Sequence, residues 1–257
     1  MKDKKSPLKH KPLRYAGQSL DEEITRIFDD KLTMYILAPT LLLVITLLEW
    51  YRWYFNMPPT PWTATIMLLI AIIYSIYKII PLRKKIALMR LGSDGEKEVA
   101  EHLEKLRSMG ANIFHDIIGD GFNIDHVVVS RKGILLIETK TRSKPAKGET
   151  KITFDGQKIA INGEHFNDDI LIQVRAGATW LQSLINDLTA NSYSVRPIVV
   201  FPGWYVQMIN RVASNTWVLN PQNLQGFLSK QPELLTEHDV QLISNHLSRY
   251  IRSTQEK

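Results

Sequence analysis

Residues 123–143 read NIDHVVVSRKGILLIETKTRS, and both of their apolar runs end in ionisable side chains. Asp125 stands just ahead of VVV, while Glu138 and Lys140 close ILLI. Asp125 and Glu138 are 13 positions apart, with Ser130-Arg131-Lys132-Gly133 between the runs as a tight-turn composition. If the runs pair as antiparallel strands, Asp125 lies beside Glu138, and Lys140, two residues on, shares Glu138's face. Neighbouring carboxylates repel unless a cation sits between them, and hard oxygen ligands suit Mg²⁺ or Mn²⁺. Such an ion can polarise a phosphoryl oxygen and acidify a bound water, and a lysine alongside can orient that water or stabilise developing charge.

Simpler roles compete at each position. Asp125 could serve strand-start turn chemistry. Glu138 and Lys140 could be a solvated charge pair, although the apolar ILLI before them argues against simple exposure. His126 points away from Asp125 and reads as a structural histidine. Arg131, Lys132, Arg142, Lys144 and Lys147 flank the strands, where they suit either phosphates or plain solvent.

The elements that must position these groups follow from periodicity. SDGEKEVAEHLEKLRSMG places Ser93 as an N-cap with Glu96 at capping-box spacing, and Val99, Leu103 and Leu106 at helical intervals, predicting a helix over 94–109 stopped by Gly110. ANIFHDIIGD, FNIDHVVVS and GILLIETKT are short β-branched runs punctuated by glycine, three successive strands. Asp155-Gly156 marks a further hairpin. A helix with Ile170, Val174, Ala178, Leu181 and Ile185 on one face follows, then the strands VRPIVVFPG and NTWVLNP. The tail reads as an amphipathic helix capped by Thr236. This order predicts the α/β class, a mixed β-sheet flanked by helices.

The N-terminal third differs. LTMYILAPTLLLVITLL carries no charge, and WTATIMLLIAIIYSIYKII carries only Lys78. Each approaches the ~20 residues a helix needs to cross a bilayer, predicting two transmembrane helices at about 32–54 and 62–80, with Pro39 kinking the first. Soluble core helices of this length would show a polar face. The link NMPPTPW reads as a tight turn beside an aromatic cluster suited to the headgroup region. Lys2, Lys4, Lys5, Lys9, Lys11 and Arg14 precede the first run, and Arg83, Lys84, Lys85 and Arg90 follow the second. Positive-inside bias therefore predicts a multi-pass protein of the cell's inner membrane, with the N-terminus and C-terminal domain cytoplasmic. The late, long first run does not read as a cleaved signal peptide, and the lack of cysteine agrees with a reducing compartment. Much of the net charge of +6 lies in these flanks, where topology and anionic lipid account for it.

Asp125 followed by Glu138-Thr139-Lys140, with Glu96 on the preceding helix, looks like the PD-(D/E)xK nuclease pattern. GEKEVAEHL, IDHVVVSRKGILLIETKT and Gln173 in LIQVRAGATWL resemble the nuclease-related domain, NERD. The resemblance covers roughly 93–200 and implies a restriction-endonuclease-like fold. It also implies metal held by Glu96, Asp125 and Glu138, with catalysis by Asp125, Glu138, Lys140 and Gln173. Arg131, Lys132, Arg142 and Lys144 are the candidates for nucleic-acid binding. Two departures stand out: Ile124 occupies the place of the pattern's proline, and Gly177 stands where the fuller glutamine motif has a tyrosine. The resulting layout is a basic arm (1–31), two spans (32–80), a basic linker (81–92), the nuclease-like domain (93–220) and a helical extension (221–257). The expected function is metal-dependent hydrolysis of phosphodiesters, in DNA before RNA; the alternative is an inactive module binding nucleic acid or protein at the membrane.

Overall fold

The computed structural model describes residues 12–57, 60–144, 150–166, 169–209 and 214–255. Lys2, Lys4, Lys5, Lys9, Lys11, Lys147 and part of the NMPPTPW link lie outside them. The chain divides into two units, one from Ser19 to Leu91, the other joining residues up to Gln18 with those from Gly92 onward.

Helix α1 (Gln18–Ile27) passes through a π-helical turn (Phe28–Leu32) into α2 (Thr33–Tyr54), and α3 runs from Pro61 to Arg107. The sequence reading missed α1. Helix α2 continues through Pro39. Both α2 and the first part of α3 are long and apolar enough to cross a membrane. Leu43, Leu47, Ile70 and Ile73 on these helices are exposed. Where α2 and α3 meet, polar groups are satisfied locally: Thr46 Oγ1 donates to Leu42 O at 2.7 Å and Trp50 Nε1 to Thr65 Oγ1 at 3.1 Å.

The expected break before residue 94 does not occur. Helix α3 is continuous through Pro81, Gly92 and Ser93, so the predicted linker is helical and Ser93 is no N-cap. Residues 82–91, LRKKIALMRL, are strong helix formers that outweigh the proline before them and the glycine after. The stop is as expected: Gly110 takes φ +80°, and Ala111 N donates back to Leu106 O at 3.2 Å.

The second unit is built on a five-stranded sheet ordered β1-β2-β3-β7-β9, from β1 (Asn112–Ile118), β2 (Asn123–Ser130), β3 (Gly133–Thr139), β7 (Val195–Val200) and β9 (Trp217–Leu219). Strands β1, β2 and β3 form an antiparallel meander, whereas β3, β7 and β9 are parallel. The sheet is therefore mixed and flanked by helices. Helix α4 (Asp169–Thr189) lies between β3 and β7 in the chain, as a parallel connection requires. The side chains of β3 alternate: Ile134 and Leu136 pack towards α4 and α6 (Glu237–Thr254), while Leu135 and Ile137 pack with Val99, Leu103 and Leu106 of α3 and with α5 (Leu224–Ser229). Thr236 caps α6 in a capping box with Asp239.

The Asp155-Gly156 hairpin forms, but in a second sheet. Strands β4 (Lys151–Phe154) and β5 (Ile159–Ile161) join β6 (Glu164–His165) and β8 (Tyr205–Met208) in the order β6-β5-β4-β8. Its parallel β4 to β8 pairing links residues some fifty apart, which local patterning does not report.

Candidate functional site

The β2/β3 register aligns His126 with Ile137, so one step further Asp125 faces Glu138. Strand β3 is held on its other side by β7, and the ladder continues past its end: Lys140 N donates to Val200 O at 2.9 Å. That bond fixes the backbone from which Lys140 projects. Lys140 Nζ lies 2.6 Å from Glu138 Oε1 and 3.4 Å from Gln173 Oε1 on α4. Glu138 is buried, Lys140 half-buried and Gln173 exposed, so the ion pair leads from the sheet interior to the surface.

Asp125 completes the group. Its Oδ2 accepts from the backbone N–H of Thr139 at 2.7 Å. Its carboxyl is held well above its ordinary range, first by burial and then by the charges of Glu138 and Glu96, against the opposing pull of the Thr139 amide and Lys140. Glu96 is buried on α3 and near enough for its charge to act at Asp125. Helix α3 approaches this closely because position 95 is glycine: a Cβ there would fall 1.8 Å from Thr141 Oγ1. The charges of Glu138 and Glu96 both oppose ionisation of Asp125, and carboxylate oxygens are the hard ligands that Mg²⁺ and Mn²⁺ favour. Among the described residues, however, no three His, Cys, Asp or Glu side chains close around one point. The cation beside Glu138 is the Lys140 ammonium.

The model of the NERD family, described as a nuclease-related domain, matches residues 91–202. Residues 91–202 are thus similar to a nuclease-related domain. No curated protein and no solved structure matches the chain. Glu96, Asp125, Glu138, Lys140 and Gln173 all fall inside the NERD segment. Strand β9 and helices α5 and α6 lie beyond it yet complete its core through Val218, Leu228 and Ile243.

The proposed phosphate-contacting residues separate into two groups. Arg131 and Lys132 occupy the turn at the opposite end of the β2–β3 hairpin, about 20 Å from Glu138 by strand rise. There Arg131 pairs with Glu233 at 2.6 Å, and its carbonyl accepts from Leu234 N and Leu235 N. Arg142 and Lys144 instead follow Lys140 on the site's side and are exposed. The Arg142 guanidinium stacks 4.2 Å over Phe166, and its carbonyl accepts from Trp204 Nε1 at 3.2 Å.

His126 is fully buried, its Nδ1 2.8 Å from His115 Nδ1 and its Nε2 3.3 Å from Thr139 Oγ1, a structural setting on the face away from Asp125. Sequence reasoning passed over Thr139, Gly95 and Arg14. Arg14, one of the basic residues ahead of the first apolar run, has its side chain buried against Asp116, with Nε 2.8 Å and Nη2 2.7 Å from Oδ2. Thr139 stands inside the Glu-x-Lys motif and could have been found there; nothing local to Arg14 announces a partner 102 positions away.

Proposed function

We propose that this protein is a divalent-metal-dependent nuclease of the PD-(D/E)xK kind that hydrolyses phosphodiester bonds in DNA, tethered by α2 and α3 to the membrane at its cytoplasmic side. The observation that carries this reading is Lys140 bridging buried Glu138 and exposed Gln173, next to an Asp125 whose charge is opposed by two further carboxylates. Glu96, Asp125 and Glu138 would hold the ion, which when bound supplies Lewis acidity at the phosphoryl oxygen and a more acidic water.

The remaining chemistry belongs to the chain. Glu138 holds Lys140 in place through their 2.6 Å ion pair, so its ammonium stands ready where negative charge develops on the phosphate. Gln173 accepts from the same ammonium and narrows its rotamers. Thr139 N orients the Asp125 carboxylate without spending a side chain on it. Arg142 and Lys144 continue the positive surface along which a strand's phosphates would run. The membrane tether and its orientation rest on the apolar helices and on the lysine- and arginine-rich flanks.

The test is cleavage of a panel of DNA and RNA by the detergent-solubilised full chain in Mg²⁺ or Mn²⁺, beside Asp125→Ala and Lys140→Ala. Activity in the wild type that is lost in Asp125→Ala and falls by about 10²–10³ in Lys140→Ala is the expected result; equal activity in all three samples would remove the assignment. The rival, a NERD-like module that binds nucleic acid or a protein without cutting, is favoured by the lack of a closed ligand cluster among the described residues. Steeply salt-dependent binding with no turnover in any divalent metal would select it.

A further inference from the structure

Beside the Glu138–Lys140–Gln173 group lies a cavity of about 260 Å³, walled by Phe122, Ile124, Leu136 and Trp180 and reached by the side chains of Glu138 and Gln173. Its apolar character is out of place next to a cluster of charges meant for phosphate. Two glycines bear on its walls. Gly119, whose own Cβ would fall 2.7 Å from Phe122 Cζ, lets the Phe122 ring fold over the β1–β2 turn. Gly177, in mid-α4 where an ordinary helical φ would accept any side chain, lines the cavity and leaves it open, and a Cβ there would already meet Leu136 Cδ1 at 3.4 Å. The aromatic wall is braced from behind: Phe122 and Trp180 meet edge to face at 5.1 Å, and Trp180 meets Tyr250 at 6.1 Å.

We propose that this cavity receives one unstacked nucleobase of the bound strand, so that the enzyme acts on single-stranded or locally unpaired nucleic acid. The inference rests on the nuclease reading for its choice of ligand. A base has two apolar faces and a polar edge. Phe122 and Trp180, perpendicular to one another at 86°, offer one ring face for a base to stack on and a second apolar ring against its rim, and Asn123 and Gln173, which also line the cavity, carry amides with both a donor and an acceptor for the edge. Bases in a duplex are stacked on one another, and entering such a cavity would require one to be extruded. A strand whose phosphate lies at Lys140 has its adjacent base within reach without that penalty.

The experiment is fluorescence anisotropy with the full chain in EDTA, using a labelled single-stranded oligothymidylate and a strand of the same length made of abasic residues. Wild type should bind the base-bearing strand about ten-fold or more tightly, the range expected for stacking on an aromatic side chain. Gly177→Leu, which fills the cavity, and Trp180→Ala, which removes its wall, should each bring the two strands to nearly equal affinity. Circular dichroism confirms that each variant is folded, and either one suffices. Equal binding of the two strands by wild type, no binding of either, or an undiminished preference in folded Gly177→Leu would overturn the proposal. Cleavage of the same oligothymidylate in Mn²⁺ is scored separately. Base-dependent binding without cleavage would defeat the nuclease reading alone, and cleavage without base preference would defeat the cavity's role alone.

Discussion

The backbone N–H of Thr139 donates to Asp125 Oδ2 over 2.7 Å, tying the carboxylate at the head of β2 to the main chain at the foot of β3. One residue to either side of that amide, Glu138 and Lys140 are themselves joined at 2.6 Å. The hairpin end is thus a rigid frame in which a main-chain donor, an ammonium and two carboxylates have fixed places. Pre-organised donors of this kind need no rearrangement as charge develops.

Asp125 should be a site where stability is given up for function. Its carboxyl titrates well above the ordinary 3.8, first through burial and then through Glu138 and Glu96. A raised acid favours the fold while it is protonated; that contribution is complete below 3.8 and is lost as pH rises through the folded value. Asp125→Asn keeps an acceptor for Thr139 N and cannot ionise. It should raise Tm at neutral pH, lose that advantage in acid, and abolish cleavage. A lower Tm than wild type at neutral pH would contradict the account.

Lys140 should act on turnover more than on binding. Its ammonium is one fixed cation among several basic groups near the strand, so Lys140→Ala should lower kcat by about 10²–10³ while oligonucleotide affinity changes little. Lys140→Arg should not restore the rate, because a planar fork cannot meet Glu138 and Gln173 as a point charge does. Single-turnover rates alongside Kd separate the two effects.

The juxtaposition of the candidate site residues was legible in the sequence because it is local. Asp125, Glu138 and Lys140 sit on one hairpin whose turn and strand period fix their juxtaposition, and Gln173 interrupts a clear helical stripe. What escaped depends on contacts distant in sequence. The second sheet is assembled by β4 and β8, joined in parallel across α4 and β7. Ser93 looked like a cap because Ser-x-x-Glu has that spacing, but a helix already under way from Pro61 leaves no free N–H groups for it to satisfy. Arg131 and Lys132 were grouped with Arg142 and Lys144 by composition, although a strand's length separates them.

Gly95 should prove intolerant although it lies inside a helix, where alanine normally gains stability. A Cβ at 95 would fall 1.8 Å from Thr141 Oγ1 and 2.9 Å from its Cβ, pushing α3 away from the chain just after Lys140. Gly95→Ala should cost about 1–3 kcal/mol by overpacking and reduce cleavage, as Glu96 moves with the helix. Thr141→Gly should recover much of both losses. A double-mutant cycle that shows simple additivity would exclude this contact as the cause.

Arg14 should matter to folding although it precedes the apolar helices. It forms a nearly solvent-free pair with Asp116, their side chains 5% and 3% exposed. Removing one member of such a pair leaves a buried charge and typically costs about 3–5 kcal/mol. Arg14→Ala should therefore lower the denaturation midpoint clearly, and a fragment beginning at Gly92 should be less stable than the same domain in the full chain. Arg14→Leu combined with Asp116→Asn should lose less, since Asn tolerates the left-handed backbone at φ 51°.

The His115–His126 pair should make the fold acid-sensitive. Their Nδ1 atoms are 2.8 Å apart, so one must donate and the other accept, and the pair can take up at most one proton without opposing two N–H groups. Both rings titrate below the ordinary 6.5: His126 through burial and then His115, His115 through burial and then Arg107, with Glu104 and Asp116 pulling the other way. A lowered base binds fewer protons folded than unfolded, so its contribution is complete above 6.5 and is lost as pH falls through the folded values. Thermal melts from about pH 8 to about pH 5 should show Tm falling on the acid side. His115→Gln removes one titrating ring while keeping a group able to meet His126 Nδ1, and it should make that fall shallower. A slope unchanged by the substitution would place the acid sensitivity elsewhere. Because His126 Nε2 also meets Thr139 Oγ1, protonation of this pair should loosen the residue that holds Asp125, and cleavage should decline over the same pH range as Tm.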